Sequence, residues 1–309
     1  MIDPKLIILY GRFGDKLHEK QQAMIEGRSN CGYLEYSKKY GFHVYLTPQI
    51  ITEPHTLTIT SPAFVKMFID RYPSAIIWSV KHDEKKDQLL QVIPNKKIYY
   101  SCCSYNMYNP YCDFSLVDTK KRLESVGKNA AIHVKGKDPD YWYPEGGRVY
   151  DYVLFGKRGD KNEAFFIKKL TREVPERRSI LWIGGEKHRK SIPDTHHGVF
   201  LTPFLGKDAV RDHMRRGKVG VILSDIPAEG FPQTFLEMTM LGLPVVYMGP
   251  KNHVYMGTDN GLYVNKNTCA EGAELLLRNR DHVRCRAFAV NNYSLDKSFE
   301  NMRRALGTL

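Results

Sequence analysis

Residues 219–249 read VGVILSDIPAEGFPQTFLEMTMLGLPVVYMG, and this stretch decides the fold class. The runs VGVILSD and PVVYMG have the length and the Val and Ile content of buried β-strands. The segment QTFLEMTMLG between them has helical spacing and ends in a glycine. Strand, helix and strand in this order predict a parallel βαβ unit. In that unit Glu229 lies on the turn after the first strand, and Glu237 lies about one turn into the helix.

The same alternation extends outward through the rest of the chain. Apolar runs such as KLIILYG, SAIIWSV and KKIYYSC come before it, and DYVLFG, SILWIGG and GVFLTPFLG lie closer, with segments of helical spacing between them. The pattern predicts an α/β fold with two Rossmann-like parallel sheets. Because ligands bind at the carboxyl ends of such strands, the two domains are expected to face each other across a cleft.

A break in the alternation separates the two halves. The stretch KDPDYWYPEGGRVYD at 137–151 is rich in Pro, Gly and acidic residues, and it is predicted to be the interdomain linker. We therefore place an N-terminal domain at 1–148 and a C-terminal domain at 149–292. Residues 293–309 form a C-terminal helix that begins near Leu295, and packing of this helix back on the N-terminal domain is one expected arrangement.

The composition narrows the classes of partner. The chain has 309 residues, 42% of them hydrophobic, and 46 Lys and Arg against 34 Asp and Glu give a formal net charge of +12. The positive charge favours partners that carry phosphate, namely nucleotides, nucleic acid or an anionic membrane surface. No apolar run reaches the roughly 18 residues of a membrane-spanning helix, and the N-terminal stretch is interpreted as a strand and not a signal peptide. We expect a cytoplasmic protein, with peripheral attachment to a membrane as an alternative.

The turn and helix of the opening stretch have the features of an anion site. Gly230 allows the backbone to approach a ligand closely. The following helix begins at Gln233 or Thr234, and its free N–H groups and positive dipole end attract an anion. With Glu229 before this anion site and Glu237 behind it, the arrangement suits a nucleotide-sugar, which has hydroxyls at both ends and phosphates in the middle. The alternative is that Glu237 is an ordinary helix-start acid and Glu229 a surface turn residue.

A second loop supplies cations at the end of another strand. In LFGKRGDKNEAFF, Lys157, Arg158 and Lys161 follow an apolar run and precede a helix. Positive charge at this position stabilises a departing diphosphate. The alternative is a solvated basic loop in a protein that is already basic.

These residues carry a resemblance to a known family. The chain is similar to the GT-B-fold retaining glycosyltransferases of the large family defined by Glu, seven residues and Glu (glycosyltransferase group 1, family 4-like). The family pattern EGFG-xx-xLEAMA-x-G-x-PVV stands here as EGFPQTFLEMTMLGLPVV. DYVLFGKRGDKN resembles the start of the family's second domain, SILWIGGEKHR its l-x-ivGxGp motif, and AAIHVKGKDPDYWYP its linker vipNGvDxxxFxP. The match covers the second half nearly end to end and is weaker before about residue 110.

The resemblance implies a role for each matching residue. Glu229 is expected to contact hydroxyls of the donor sugar, Glu237 the ribose, and Lys157 with Lys161 the diphosphate, with Arg158 as an alternative to Lys157. Backbone N–H groups after Glu229 are expected to hold the sugar and phosphates. Pro232 replaces the second glycine of the family pattern and removes one N–H donor. The residues that supply this backbone are Gly230, Phe231, Gln233 and Thr234.

The first half offers fewer matches. Gly11 and Gly14 form a loop after the first strand that can approach the donor closely, although a single G-x-x-G is common. His82, followed by Asp83, occupies the position of the family histidine under the donor sugar, and a surface histidine is the alternative. Where relatives carry another histidine, this chain has Cys102 and Cys103. The six cysteines include no C-x-x-C pair, so they are expected to be reduced thiols and not zinc ligands.

The expected activity is therefore a retaining transfer that needs no metal and no other cofactor. The expected donor is a nucleoside-diphosphate sugar, with a UDP-sugar favoured, and the expected acceptor is a hydroxyl of a glycan or lipid-linked glycan, with an anionic membrane surface as one expected location. Two alternatives stay open. One is a glycosyltransferase acting on a modified DNA base, with nucleic acid as the acceptor. The other is a non-catalytic module that binds nucleotides or glycans.

Overall fold

The computed structural model describes residues 6–10, 43–45, 56–57, 62–80, 83–100, 108–127, 129–156, 162–224, 232–249 and 259–307. The chain divides into two compact units. Unit 1 comprises Met1–Val134 and Ser298–Leu309, and unit 2 comprises Lys135–Lys297. None of the helices in these described ranges combines the length and the apolar character that crossing a bilayer requires.

The described part of unit 1 contains a seven-stranded parallel sheet in the order β3-β2-β1-β4-β5-β6-β7. Apolar residues of neighbouring strands stand side by side, as in the pairing of Ile7 with Ile77, and both are fully buried. The elements in chain order are β1 (Leu6–Tyr10), β2 (His43–Tyr45), β3 (Thr56–Leu57), α1 (Pro62–Ile69), β4 (Ile76–Val80), α2 (Glu84–Val92), β5 (Lys97–Tyr100), β6 (Phe114–Val117), α3 (Lys120–Val126) and β7 (Ala130–Ile132).

Unit 2 contains a six-stranded parallel sheet in the order β10-β9-β8-β11-β12-β13 within the described residues. Its elements are β8 (Tyr150–Phe155), α4 (Glu163–Glu173), β9 (Ser179–Ile183), a 3₁₀ helix (Glu186–Ser191), β10 (Gly198–Leu201), α5 (Lys207–Met214), β11 (Gly217–Leu223), α6 (Gln233–Met240), β12 (Val245–Met248), β13 (Gly261–Tyr263), α7 (Cys269–Asn279) and α8 (His282–Tyr293). Helix α9 (Leu295–Gly307) begins in unit 2 and continues into unit 1.

The strand order of unit 2 reverses at β8. Strand β8 lies between β9 and β11, so the chain builds the sheet outward in one direction from β8 and then in the other. In open α/β sheets the ligand crevice lies at this reversal, beyond the carboxyl ends of the strands. Strand β8 ends at Phe155 and strand β11 ends at Leu223, and the sequence places the donor site in the segments that follow these two residues.

The stretch between the two sheets is packed against unit 2 along part of its length. Trp142 is only 1% exposed. The Arg286 guanidinium of α8 donates hydrogen bonds to the carbonyl oxygens of Pro139, at 2.9 Å, and Trp142, at 2.7 Å. Unit 2 accordingly starts at Lys135, earlier than the position 149 expected from the Pro- and Gly-rich composition. The hydrogen bonds from Arg286 and the buried Trp142 side chain attach this segment to unit 2.

Candidate functional site

Helix α6 starts at the carboxyl edge of the unit 2 sheet without a side-chain cap. Pro232 is its N-cap residue and makes no capping hydrogen bond through its side chain. The first N–H groups of a helix have no acceptor within the helix, so they and the positive dipole end face whatever lies beyond. Gln233 and Thr234, both expected to contact the donor, occupy the first two positions of α6 and are half-buried.

Gln233 carries a polar atom that the fold does not satisfy. Its Oε1 is buried and has no hydrogen-bond partner in the structure. A buried acceptor without a partner costs about 1–3 kcal/mol. A water molecule or a ligand can supply the missing donor at this position.

Glu237 lies one turn further along α6 and is 5% exposed. Its Oε1 accepts a hydrogen bond from Nζ of Lys137 at 2.9 Å, and the lysine side chain is completely buried. The Lys137 ammonium also lies 5.8 Å from the centre of the Trp142 ring. The carboxylate is therefore held in one place by a buried opposite charge.

Tight packing fixes the direction of α6. A Cβ on Gly220 of β11 would lie 2.4 Å from Sδ of Met238, so only glycine allows the helix this close to the strand. Gly242, at a φ of +77°, ends the helix and turns the chain into β12. Its carbonyl oxygen lies 2.8 Å from Nδ1 of His282, and burial holds the pKa of this histidine below its ordinary value.

The end of β8 is equally crowded. A Cβ on Gly156 would come within 1.9 Å of Oε1 of Glu163, the buried first residue of α4. The Gly156 carbonyl accepts a hydrogen bond from Nε1 of Trp182 at 3.2 Å. Asn162 donates from Nδ2 to the carbonyl oxygen of Leu223 at 3.1 Å and so connects the start of α4 to the end of β11. These contacts fix both flanks of the loop in which the sequence places the diphosphate cations.

The end of β9 adds basic residues that the sequence-based prediction did not include. The 3₁₀ helix after β9 presents three exposed cations, Lys187, Arg189 and Lys190. The His188 ring stacks on Trp182 with an angle of 4° between the planes and 5.5 Å between the centres. The signal was visible in the sequence as EKHRK directly after a strand.

The structure places three of the expected site residues, and the others lie outside the residues it describes. Gln233, Thr234 and Glu237 share the first turn and a half of α6. The expected residues outside the described ranges are Gly11, Gly14, His82, Lys157, Arg158, Lys161, Glu229, Gly230 and Phe231, together with Cys102 and Cys103. Within the described ranges, no three His, Cys, Asp or Glu side chains are grouped as metal ligands. The absence of a metal requirement stays a prediction.

Lys137 is the residue of this site that sequence reasoning missed. It lies in the stretch interpreted as a linker, 100 positions before its partner Glu237. A usable signal was present. Gly136, Lys137 and Asp138 align with Gly, Val and Asp in the family motif vipNGvD, so a charged residue stands where that motif has an apolar one.

The opposite end of the unit 2 sheet holds a different polar network. Arg178, just before β9, donates to Glu274 from Nε at 2.8 Å and from Nη2 at 2.6 Å. The Tyr152 hydroxyl donates to the same carboxylate at 2.7 Å. Burial opposes ionisation of Glu274, but the hydrogen bonds from Arg178 and Tyr152 outweigh it and lower its pKa. Both carboxylate oxygens of Glu274 thus accept hydrogen bonds from other side chains of the protein.

Comparison with known proteins identifies a family that part of this chain resembles. Residues 152–279 match the profile of the family described as glycosyl transferases group 1. A comparison with curated protein sequences gave no significant match. Over these residues the match bears out the predicted resemblance to group 1 glycosyl transferases, and the retaining mechanism and the Glu, seven residues, Glu signature stay predictions.

Several solved structures share the fold across almost the whole chain. Alr3699/HepE of Anabaena in complex with UDP is similar at a TM-score of 0.69 and 12% identity, over 99% of this chain and 100% of that chain. A glycosyltransferase from Rickettsia africae ESF-5 gives 0.72 and 12%, over 99% and 98%. An α-glucosyltransferase in complex with UDP and a 13-mer DNA containing a central A:G mismatch gives 0.65 and 12%, over 98% and 99%. At these identities the likeness establishes the fold, and it confirms the predicted GT-B class with two parallel-sheet α/β domains.

Proposed function

We propose, on the premise that residues 152–279 form a glycosyl transferases group 1 domain, that this chain is a retaining glycosyltransferase that needs no metal. It moves a sugar from a UDP-sugar to a hydroxyl of a glycan or lipid-linked glycan. One observation carries the proposal: Glu237 is a buried carboxylate on a helix whose uncapped start faces the reversal point of the unit 2 sheet.

Different residues of α6 contact different parts of the nucleotide-sugar. Glu237 accepts hydrogen bonds from the ribose hydroxyls, and the helix start receives the phosphates through its N–H groups. The buried Oε1 of Gln233 accepts a hydrogen bond from a hydroxyl of the nucleotide-sugar, because the phosphate oxygens have no proton to donate to it. The sugar of the donor then lies beyond the helix start, where the sequence resemblance places Glu229.

The reaction needs stabilisation of one leaving group. The bond between the anomeric carbon and the diphosphate oxygen breaks, and the acceptor oxygen forms the new bond on the same face. The acceptor proton passes to the departing diphosphate, which leaves as UDP. Lys157, Arg158 and Lys161 stabilise the negative charge that develops on this diphosphate. The backbone N–H groups of the α6 start contribute to the same charge.

Uridine is favoured as the base because of the relatives that share the fold. Alr3699/HepE was solved with UDP and, at a TM-score of 0.66 to this chain, with UDP-glucose. The α-glucosyltransferase relative was also solved with UDP. These proteins differ from this chain at most positions, so the donor has to be tested directly.

The first test is thermal unfolding with UDP, GDP, ADP and TDP, in buffer that contains a chelator. A ligand at about 100 times its Kd adds roughly 2.7 kcal/mol to the free energy of unfolding. The expected result is a rise of the midpoint with UDP alone. A rise with UDP that appears only after Mg²⁺ or Mn²⁺ is added would contradict metal independence. No rise with any nucleotide would contradict the donor site.

The second test separates binding from turnover. Glu237→Gln removes the negative charge but keeps the shape of the side chain, and we expect weaker UDP binding. Glu274→Gln makes the same change at the other end of the sheet and should leave UDP binding unchanged. Glu229→Ala is expected mainly to lower turnover. The anomeric configuration of the product, followed by NMR, reports retention directly.

A modified DNA base is the second candidate acceptor, and two observations favour it. The chain has a net charge of +12, and a relative of the same fold was solved with UDP and DNA. Affinity for duplex DNA at low ionic strength, with a steep loss as salt is raised, would favour this acceptor. Tight UDP binding with no transfer to glycan, lipid-linked glycan or DNA would instead indicate the non-catalytic module.

A further inference from the structure

The ion pair between Lys137 and Glu237 gives the donor site a component from outside α6. The Lys137 side chain is 0% exposed and the Glu237 side chain 7% exposed, with 2.9 Å between Nζ and Oε1. Both charges have left water, which costs free energy that their attraction alone rarely returns in full. A pair of this kind is therefore retained for what it positions as much as for stability.

The backbone of Lys137 is fixed independently of its side chain. Its N–H donates to the Tyr293 carbonyl at 2.8 Å, and its own carbonyl accepts from the N–H of Leu295 at 3.0 Å. These two bonds form a short parallel bridge between Lys137 and Ser294. Gly136 allows this close approach, because a Cβ there would lie 2.6 Å from Cα of Leu295. The ammonium group thus extends towards α6 from a rigid attachment point.

We propose that Lys137 is a positioning residue of the donor site, which holds the Glu237 carboxylate in the orientation that receives the ribose hydroxyls. The proposal rests on the function given above, in which Glu237 is the ribose ligand. A carboxylate fixed by a charged hydrogen bond does not have to be ordered when the nucleotide arrives. The lysine then contributes to discrimination between ribose and its deoxy forms without contacting the ligand.

The test compares UDP with 2′,3′-dideoxy-UDP, which lacks both hydroxyls. In the wild-type protein we expect UDP to bind more tightly by about tenfold or more, the range for hydrogen bonds to a charged group. Glu237→Gln should lower this ratio of the two Kd values to near one. Lys137→Met keeps the length of the side chain and removes its charge, and it should lower the ratio to a similar extent. Lys137→Arg keeps the charge and should retain most of the ratio.

The control variant removes a buried ion pair at the other end of the same sheet. Arg178→Met breaks the contact with Glu274 and lowers the stability of unit 2. Because this pair is at the amino end of the strands, Arg178→Met should leave the ratio of Kd values at the wild-type level. If the ratio of the two Kd values falls in Arg178→Met as well as in Lys137→Met, the cause is a general loss of stability in unit 2. That result would overturn the proposal.

The outcomes also separate this inference from the proposed function. If Glu237→Gln loses the ratio and Lys137→Met keeps it, the positioning role is wrong and the ribose role of Glu237 stands. If Glu237→Gln keeps the wild-type ratio, the ribose role is wrong and the positioning proposal falls with it.

A measurement on the unaltered protein covers the case in which Lys137→Met does not fold. Buried lysine ammonium groups give resolved ¹H–¹⁵N signals, and Lys137→Arg identifies the signal of Lys137. We expect UDP to shift this signal and dideoxy-UDP to leave it nearly unchanged. A signal that responds equally to both nucleotides, or to neither, would overturn the proposal.

Discussion

The two ends of the unit 2 sheet bury an ion pair each, and the pairs differ in their surroundings. At the amino end, Glu274 accepts two hydrogen bonds from Arg178 and one from Tyr152. At the carboxyl end, Glu237 is paired with Lys137, while Gln233, one turn away, keeps a buried oxygen without a partner. The difference teaches that an arginine and a tyrosine hold the carboxylate at the amino end, whereas a lysine holds the carboxylate at the carboxyl end, where open α/β sheets bind their ligands.

The largest expected effect comes from breaking each pair in turn. Glu237→Leu leaves the Lys137 ammonium buried without its counter-ion, and we expect a loss of about 3–5 kcal/mol in the free energy of unfolding. Glu274→Leu should cost less, about 1–3 kcal/mol, because the Arg178 side chain is 19% exposed and can reach water. Denaturation with urea measures both. Equal losses would contradict the distinction between a dry pair and a partly hydrated one.

The double variant Lys137→Met and Glu237→Leu sharpens this result. Replacing both members of a buried pair with apolar residues of similar volume is often close to neutral. We expect the double variant to regain most of the stability lost by Glu237→Leu, while UDP binding stays weak. Recovery of UDP binding together with stability would show that the pair serves only the fold.

Glycine substitutions give the next largest effect. Gly156→Ala places a methyl group against the buried Glu163, and overpacking of this kind costs about 1–3 kcal/mol. Because Gly156 precedes the segment in which we propose the diphosphate cations, UDP affinity should fall as well. Gly147→Ala, before the amino end of β8, meets nothing within 4 Å and is the matched control. Calorimetric titration with UDP checks both, and a loss of affinity in Gly147→Ala would break the comparison.

A lower pH should reduce the stability of unit 2 through two histidines near the amino ends of its strands. Burial lowers the pKa values of His197 and His282 below the ordinary value of 6.5. Nδ1 of His197 accepts a hydrogen bond from the backbone N–H of Arg178 at 3.2 Å. The unfolded chain therefore takes up protons near pH 6.5 while the folded chain does not, so stability falls as the pH decreases through that value. Thermal midpoints between pH 8 and pH 5 should decline, with a smaller decline in His197→Asn. An unchanged slope in that variant would remove His197 from this account.

The smallest effect concerns the exposed cations after β9. Lys187→Ala with Arg189→Ala should lower UDP affinity by about twofold, and the difference should vanish at high salt, because exposed charges are screened. Arg177→Ala changes an exposed cation at the amino end and should have no effect on UDP at any salt concentration. Titration of UDP at two ionic strengths makes the comparison.

The sequence predicted the sheets and the location of α6 because both depend on local patterns. Buried strands such as VGVIL are continuous apolar runs, and the turn after them carries the glycine and acid of the motif. Helix α8 was not predicted, since its buried residues Cys285, Ala289 and Tyr293 form a narrow stripe with weak periodicity. Composition predicted an interdomain linker at 137–151, and the hydrogen bond from Arg286 to the Trp142 carbonyl depends on a residue far along the chain.

The partner of Glu237 was beyond the reach of local patterns for the same reason. An acid one turn into a helix is equally consistent with a dipole-stabilising surface residue and with a ligand-binding group. Only the three-dimensional structure shows that a lysine from a different segment neutralises it. The mismatch between Lys137 and the apolar residue of the family motif was the one sign of this contact in the sequence.

The division of the chain has a consequence for biosynthesis. Unit 2 is continuous, from Lys135 to Lys297, whereas unit 1 also needs Ser298–Leu309, which the ribosome adds after all of unit 2. The Ser298 hydroxyl donates a hydrogen bond to the carbonyl oxygen of Val134. This contact, next to the last strand of unit 1, therefore cannot form until a residue 164 positions later has been synthesised. Domains usually fold as units during synthesis. All of unit 2 is therefore synthesised before the last segment of unit 1, so unit 2 can complete its fold first.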